Sequence, residues 1–269
     1  DVYSTADEGT DHYSKTTSST KNTITSIVGP LIWLIFIVFF VKGIKYIGTS
    51  KMFIKNKKYP KKDCPIFRDL PCKKDIFRAF LISNEYQLVK NQTDFLGAIL
   101  LKWIKNGNVD VTKAETGIFK TKTTKIIMQT SPEEEGKEKE LYDMMFNASK
   151  DGILENKEFE NYCSDHYSTI FNWFNETLKE EFDKLKDTDY LISVEEKKLF
   201  GKSIDYNATD KLNETASHLA GLKKFFKEFG NIQDKTAIEV NLWEEYLMYA
   251  QIFGMAKEVA KEFKKLYPD

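Results

Sequence analysis

The sequence has few of the residues that usually carry catalysis or bind metals. Its 269 residues include three cysteines and three histidines. No Ser-His-Asp or paired-carboxylate arrangement stands out along the chain, so neither nucleophilic nor acid–base catalysis is indicated. We therefore expect no catalytic residues and no cofactor, and we favour a function other than catalysis.

The cysteines do not have the spacing of a zinc site. Seven residues separate Cys64 from Cys72, whereas zinc knuckles use much closer pairs. Cys163 shares a helix face with His166 but falls on the apolar stripe of that helix. All three cysteines follow the membrane segment predicted below. On the cytoplasmic side of that segment the default is a free thiol.

The chain also has almost no net charge, with a formal value of -1, which gives no general attraction to nucleic acid. Its lysines are nevertheless unevenly placed. No acidic residue occurs from 42 to 62, a range in which lysines are frequent. We expect these lysines to contact anionic lipid headgroups. They are Lys42, Lys45, Lys51, Lys55, Lys57, Lys58, Lys61 and Lys62.

One long apolar run precedes the lysines. The stretch from 22 to 41 contains no charged residue, which is about the length that a helix needs to cross a bilayer. We predict a single transmembrane helix over 23–47, with everything after it in the cytoplasm by the positive-inside rule. Residues 1–22 are polar and rich in Ser and Thr, as linkers are. We expect them to be an extracytoplasmic stub within a longer protein.

The rest of the chain predicts a mainly α-helical domain, with winged-helix-like units and short β-hairpins, behind the membrane helix. Two apolar helical stripes and an alternating hairpin define the first unit. A long helix bent near His166 defines the second, and a polar loop is predicted over 197–210. The predicted divisions are a basic juxtamembrane segment 48–72, a winged-helix-like unit 73–130, a linker 131–139, a degenerate second unit 140–200 and a C-terminal helical segment 201–269.

One stretch has the order of oxygen ligands found in an EF-hand loop. Gly152 stands at its turn position, with helical segments on both sides. Asn at the first position and Ser at the third are weak ligands, and no second loop of this kind is present in the sequence. We therefore expect no calcium site here. The residues at ligand positions are Asn147, Ser149, Asp151, Glu155 and Glu158.

The last 28 residues, 242–269, have apolar and charged positions at helical spacing. Glutamates and lysines between the apolar positions argue against insertion into a bilayer. We expect this segment to be a helix pair, interrupted at Gly254, that packs into the domain core. The predicted core side chains are Trp243, Tyr246, Leu247, Phe253 and Phe263.

Three stretches carry a resemblance to a known family. They are GAILLKWIKNGNVDV from Gly97, GLKKFFKEFGNI from Gly221 and LWEEYLMYAQIFGMAKEV from Leu242. With the apolar run, they resemble the YciQ-like family of bacterial predicted membrane proteins of unknown function. The resemblance implies an extracytoplasmic β-rich domain, a membrane span and a cytoplasmic region. It implies no catalytic or binding residues.

Two functions remain open. The first is a protein-interaction or signalling module that is anchored at the membrane and binds a protein partner yet unknown. The second is a membrane-tethered winged-helix DNA-binding regulator, with lysines on the predicted wing. We favour the first, because the helix that would read DNA offers only Lys102 and Lys105 as charged residues. The wing lysines are Lys113, Lys120, Lys122 and Lys125.

Overall fold

The computed structural model describes residues 53–116, 121–149, 151–198, 201–228 and 242–266. The predicted linker stub and the predicted transmembrane segment lie outside the described residues. So do three of the lysines predicted to contact lipid, namely Lys42, Lys45 and Lys51.

Helices make up most of the described chain. After a 3₁₀ turn at Cys72–Lys74 they are α1 (Ile76–Glu85), α2 (Asp94–Asn106), α3 (Lys137–Ser149), α4 (Asn156–Asp165), α5 (Tyr167–Lys186), α6 (Asp210–Glu228), α7 (Trp243–Ile252) and α8 (Ala256–Leu266). The strands are β1 (Ile54–Lys55), β2 (Val109–Thr116), β3 (Thr121–Met128), β4 (Ile153–Glu155), β5 (Leu191–Lys198) and β6 (Gly201–Ala208).

Local chemistry sets several helix boundaries. Asp75 caps α1, because its carboxylate accepts the amides of Phe77 and Arg78 at 3.0 and 3.2 Å. Gly107 ends α2 with a φ of 74°, a left-handed conformation that glycine adopts without strain. The predicted bend of the long helix is confirmed at His166, which separates α4 from α5.

The strands form two small three-stranded sheets. In the first, β3 lies between β2 and β4 and pairs antiparallel with both. In the second, β6 lies between β5 and β1, antiparallel to β5 and parallel to β1. Each sheet is thus a hairpin whose second strand gains a short third strand from elsewhere in the chain. In the second sheet Ile54 lies opposite Tyr206, so the first described strand pairs with the sixth.

The helices share one apolar core with α2 at its centre. Phe80 of α1 stacks on Phe95 of α2 with 4.1 Å between the ring centroids. On its other side α2 packs closely on α7, where a Cβ at Gly97 would lie 2.7 Å from the Gln251 side chain. The predicted burial of the C-terminal segment is confirmed for Trp243, Tyr246, Leu247 and Phe253. The side chain of Phe263 lies outside the described part.

The predicted fold class is wrong. It was a transmembrane helix followed by a mainly α-helical domain with winged-helix-like units and short hairpins, whereas the described chain is an α+β arrangement with two separate sheets. No helix in the described ranges combines the length and the apolar composition that crossing a membrane requires. The sequence predicts only hairpins, because β4 and β1 join their sheets by pairing with strands that are distant in sequence. Local patterns do not predict such pairings.

The polar loop predicted over 197–210 is also wrong. Residues 201–208 form β6, and β5 extends to Lys198, so this region is a long hairpin. Only Ile204, Tyr206 and Ala208 alternate as apolar residues in β6, and Ile204 is 58% exposed. A strand with so little buried apolar surface has a weak periodic pattern.

Burial of Trp243 supports a stability test of the C-terminal helices. Trp243 is 1% exposed, so Trp243→Ala should destabilise the chain by about 3–5 kcal/mol through the cavity that it leaves. Urea denaturation of the purified chain measures this. The control Phe146→Ala removes a side chain that is 49% exposed and should cost about 0.5 kcal/mol or less. Equal midpoints for the two variants would disprove the packing of α7.

Candidate functional site

The described chain begins with an extended segment, residues 53–71, that lies across the helices; we name it the N-terminal strap. Its first residues are fixed by Glu85 at the end of α1, which is completely buried. The Glu85 carboxylate accepts the amides of Phe53 and Ile54 at 3.0 and 3.2 Å. It also forms an ion pair with Lys57 at 2.7 Å. One buried side chain therefore satisfies three donors of the strap.

The strap then crosses α6 and α7. The Lys58 amide donates to Asn213 Oδ1 at 2.9 Å, and the hydroxyl groups of Tyr246 and Tyr249 donate to strap carbonyls at 2.7 and 2.6 Å. At Gly221 of α6 the approach is so close that a Cβ would lie 2.5 Å from the Pro65 carbonyl oxygen. The strap is thus a fixed part of the domain surface.

Five of the lysines predicted to contact lipid lie on or beside the strap, and they differ in exposure. Lys57 is only 6% exposed, and its ammonium group is used by Glu85, so it is not available to a headgroup in this structure. The exposed ones include Lys61 and Lys62. Two others form ion pairs with acidic residues of the domain, Lys55 with Asp205 and Glu196, and Lys58 with Asp210.

The first half of the EF-hand-like stretch is a helix end. Asn147 and Ser149 lie within α3 instead of in a loop. The Ser149 hydroxyl donates to the Phe146 carbonyl at 2.6 Å and accepts the Gly152 amide at 3.0 Å. Asp151 Oδ1 accepts the amide two residues further on at 2.9 Å. These side chains make a local turn.

The second half of that stretch is a helix cap. Glu155 and Glu158 form a capping box at the start of α4, in which Glu158 Oε2 accepts the Glu155 amide at 3.1 Å. Glu155 also forms an ion pair with Lys125 of β3 at 2.5 Å. Within the described ranges, no three His, Cys, Asp or Glu side chains are grouped closely enough to hold a metal ion.

Two of the three cysteines are buried thiols, and Cys64 is half-buried. Burial raises the pKa of Cys72 and that of Cys163 to about 12 each. A thiol with so high a pKa carries almost no thiolate near neutral pH and is a poor nucleophile. Cys72 and Cys163 therefore act as small apolar core residues.

The described surface has a groove of about 910 Å³, which we name the charged groove. Its walls are the 3₁₀ turn that follows the strap, the end of α2, the connection 130–136 and the facing sides of α5 and α7. Eight carboxylate side chains and six lysines line it. Apolar ligands favour pockets with mostly apolar walls, so this groove suits a polar or charged ligand.

Most lysines of the charged groove already have a carboxylate partner. Lys74 and Lys105 share Glu245 Oε1 at 3.1 and 2.8 Å. Lys102 pairs with Glu138 at 2.5 Å, and the indole N–H of Trp103 donates to the other oxygen of Glu138 at 3.0 Å. These contacts join the start of α3 and the start of α7 to the end of α2.

Two glutamates of the charged groove differ in how well their charge is balanced. Burial alone would raise the pKa of Glu245, but hydrogen bonds from Lys105 and Lys74 outweigh burial and lower that pKa. Burial raises the pKa of Glu181, and the hydrogen bond from Lys184 offsets the effect only in part. Glu181 is 4% exposed, and its Oε2 accepts no hydrogen bond from any described residue. Glu245 Oε2 is also without one, but two ammonium groups flank Glu245.

The helix that would read DNA in the alternative function is the central core helix. Most of α2 is buried, including Trp103. Its two charged candidates are paired, Lys102 with Glu138 and Lys105 with Glu245. Of the wing lysines, Lys125 pairs with Glu155 and the others have side chains outside the described part. A buried helix with neutralised lysines is not available to a DNA groove.

The comparisons agree with a membrane protein of unknown function. Residues 192–263 match a family described as "Predicted membrane protein (DUF2207) C-terminal domain", a match that covers well under half of the chain. Neither the curated proteins nor the solved structures gave a match. The family description agrees with the expected membrane localisation and gives no activity; it does not establish the YciQ-like resemblance.

Sequence reasoning did not find the charged groove. Its carboxylates come from four separate segments, and one of these, the charged stretch 131–139, has the composition of a solvated linker. The one local signal is Glu181 itself, which falls on the inward stripe of α5 between Phe174 and Leu185. A charged residue at a core position of an amphipathic helix is rare enough to mark a site.

Removing Glu85 tests the anchor of the strap. Glu85→Ala would leave Lys57 buried without its counter-ion and two amides unpaired, so we expect a loss of about 3–5 kcal/mol in unfolding free energy. Lys58→Ala is the control, because its ion pair with Asp210 is exposed and should contribute far less to the free energy of unfolding. Similar losses for both variants would contradict the anchor.

The raised pKa of Glu181 predicts a pH dependence of stability. The folded state holds this proton more tightly than the unfolded chain, so the carboxyl costs no stability below its ordinary pKa of 4.5 and an increasing amount as the pH rises above that value. Glu181→Gln removes the cost. The free energy of unfolding of the variant, measured by urea denaturation from about pH 4 to pH 7, should increase relative to that of the parent as the pH increases. A difference that is constant across this range would refute the assignment.

Proposed function

We propose that the described domain is a protein-interaction module of a membrane protein, and that a segment of the partner binds in the charged groove. The observation that carries the proposal is the groove itself. It is large, it is lined by charged side chains held in place by ion pairs, and two of its carboxylates, Glu181 and Glu245, each have a buried oxygen that accepts no hydrogen bond from the described residues. Charged complementary surfaces give specificity and fast association between proteins.

A catalytic function has less support. The groove contains lysines and glutamates but no histidine, cysteine or serine paired with a base; its one serine is Ser131, on the connection 130–136. The buried glutamates lie beside lysines that balance charge, which is an arrangement suited to recognition. DNA binding has no specific observation in its favour, because α2 is a core helix.

The membrane part of the proposal rests on the family description and on the lysines. The family whose C-terminal domain matches residues 192–263 is described as a predicted membrane protein. We propose that the exposed Lys61 and Lys62 of the strap contact anionic lipid headgroups. We also place the domain on the cytoplasmic side, because lysines occur without acidic residues from 42 to 62.

Site-specific photo-crosslinking tests the proposal. Glu134 is an exposed side chain of the groove wall, and Lys157 is an exposed side chain of α4 outside the groove. With p-benzoylphenylalanine at 134, irradiation of intact cells should give a discrete protein adduct of the full chain. The same probe at 157 should not give this adduct. Protease added outside intact cells should remove at most the expected extracytoplasmic segment and should leave the crosslinked domain intact.

Three results would contradict the proposal. No adduct from position 134 would remove the support for a partner in the groove. The same adducts from positions 134 and 157 would mean nonspecific proximity. Digestion of the crosslinked domain itself by external protease, beyond removal of the expected extracytoplasmic segment, would contradict the cytoplasmic placement.

A further inference from the structure

The feature that points beyond a general interaction site is the carboxylate of Glu181. Glu181 belongs to the lining of the charged groove and is 4% exposed. Its Oε1 accepts a hydrogen bond from Lys184 at 2.6 Å, whereas its Oε2 has no partner among the described residues. The charge of Arg78 also acts on Glu181, but Arg78 does not hydrogen-bond to this oxygen. Buried polar atoms in native proteins are nearly always hydrogen-bonded, so an orphan carboxylate oxygen in a groove marks the place of a missing donor.

Lys184 cannot supply both donors. It lies three residues along the same helix, it is 51% exposed, and it shares its ammonium group with Glu180 at 3.1 Å. An ammonium group is a point charge that reaches one oxygen at this geometry. A guanidinium group offers two parallel N–H donors that match both oxygens of a carboxylate.

The surroundings favour a cation. Carboxylates outnumber lysines along the groove, and five of its six lysines have ion-pair partners. The connection that forms one wall carries Glu133 and Glu134 as exposed side chains. The excess charge that a ligand meets on entering is therefore negative, and it attracts a basic segment.

From these contacts we propose that Glu181 binds the guanidinium group of an arginine on the partner segment that enters the charged groove. The inference rests on the proposed interaction function and specifies the chemistry of the partner. The guanidinium takes the orphan Oε2 and displaces Lys184 from Oε1. Lys184, which is half exposed, then keeps Glu180 as its carboxylate.

Model peptides separate this recognition from general attraction. The probes are fluorescein-labelled hexa-arginine and hexalysine, which carry equal charge, titrated onto the full chain and followed by fluorescence anisotropy. We expect the parent chain to bind hexa-arginine about fivefold or more tightly than hexalysine, because bidentate charge-assisted pairs are the stronger ones. Glu181→Gln should bring this ratio close to one.

The matched control is Asp183→Asn, which removes the same charge from the same helix at a residue that does not line the groove. It should retain the preference for hexa-arginine. Agmatine, which carries a guanidinium group but no peptide, should compete only at a far higher guanidinium concentration. Competition at equal guanidinium concentration would assign the site to a small molecule and overturn the proposal.

Equal affinities of the parent for the two peptides would also overturn it, as would equal effects of Glu181→Gln and Asp183→Asn. The two proposals fail separately. A discrete adduct from position 134 together with no arginine preference would leave the interaction function standing and remove only the arginine. If position 134 gives no adduct and the chain shows no preference for hexa-arginine, the interaction function and the arginine proposal are both overturned.

Discussion

The arrangement of the domain depends on a buried carboxylate that is satisfied by the segment before it. Glu85 ends α1 inside the protein, where an ionised carboxylate is tolerated only with partners. The amides of Phe53 and Ile54 and the ammonium group of Lys57 supply them. These contacts place β1 against β6, and they set the start of the strap that ends at the 3₁₀ turn. Because that turn forms a wall of the charged groove, the strap and the groove are one structural unit.

This connection bears on how an interaction module at a membrane would work. A partner segment bound in the groove would lie at a fixed distance from Phe53, the first described residue, because the strap is attached to the domain through Glu85. Partly buried carboxylates also fix the walls of the groove. Glu245 binds Lys74, which follows the strap, and Lys105 of α2. Glu138 of α3 binds Lys102 and the Trp103 indole, which both belong to α2. Side chains held in place by ion pairs lose little further freedom on binding, which favours affinity.

Much of the helical structure could be predicted from the sequence. Apolar residues at helical spacing indicate α1, α2, α5, α6 and α7, and Gly107 and His166 mark real boundaries. The burial of Trp243 follows from the same spacing. These features are local, because each depends on residues within one helix or its cap. Residues close together in sequence are therefore enough to predict them.

The sheets and the site could not be predicted, because they depend on contacts distant in sequence. Nothing near Ile54 indicates that its partner is Tyr206, and β6 has few apolar residues to show its alternation. Lys57 belongs to a run of lysines, a pattern typical of exposed side chains. It is nevertheless buried, because it forms an ion pair with Glu85 at the end of α1. The groove has the same origin, since Glu138, Glu181 and Glu245 meet only after the helices pack.

Native-state hydrogen exchange can show whether Glu85 holds the strap to the domain. The amides of Phe53 and Ile54 donate to this buried carboxylate. We expect both amides to exchange only with global unfolding, with the same denaturant dependence as core amides of α2. If both amides exchange as fast as those of exposed strap residues such as Lys61, while α2 stays protected, the strap is not part of the folded unit and Glu85 does not anchor it.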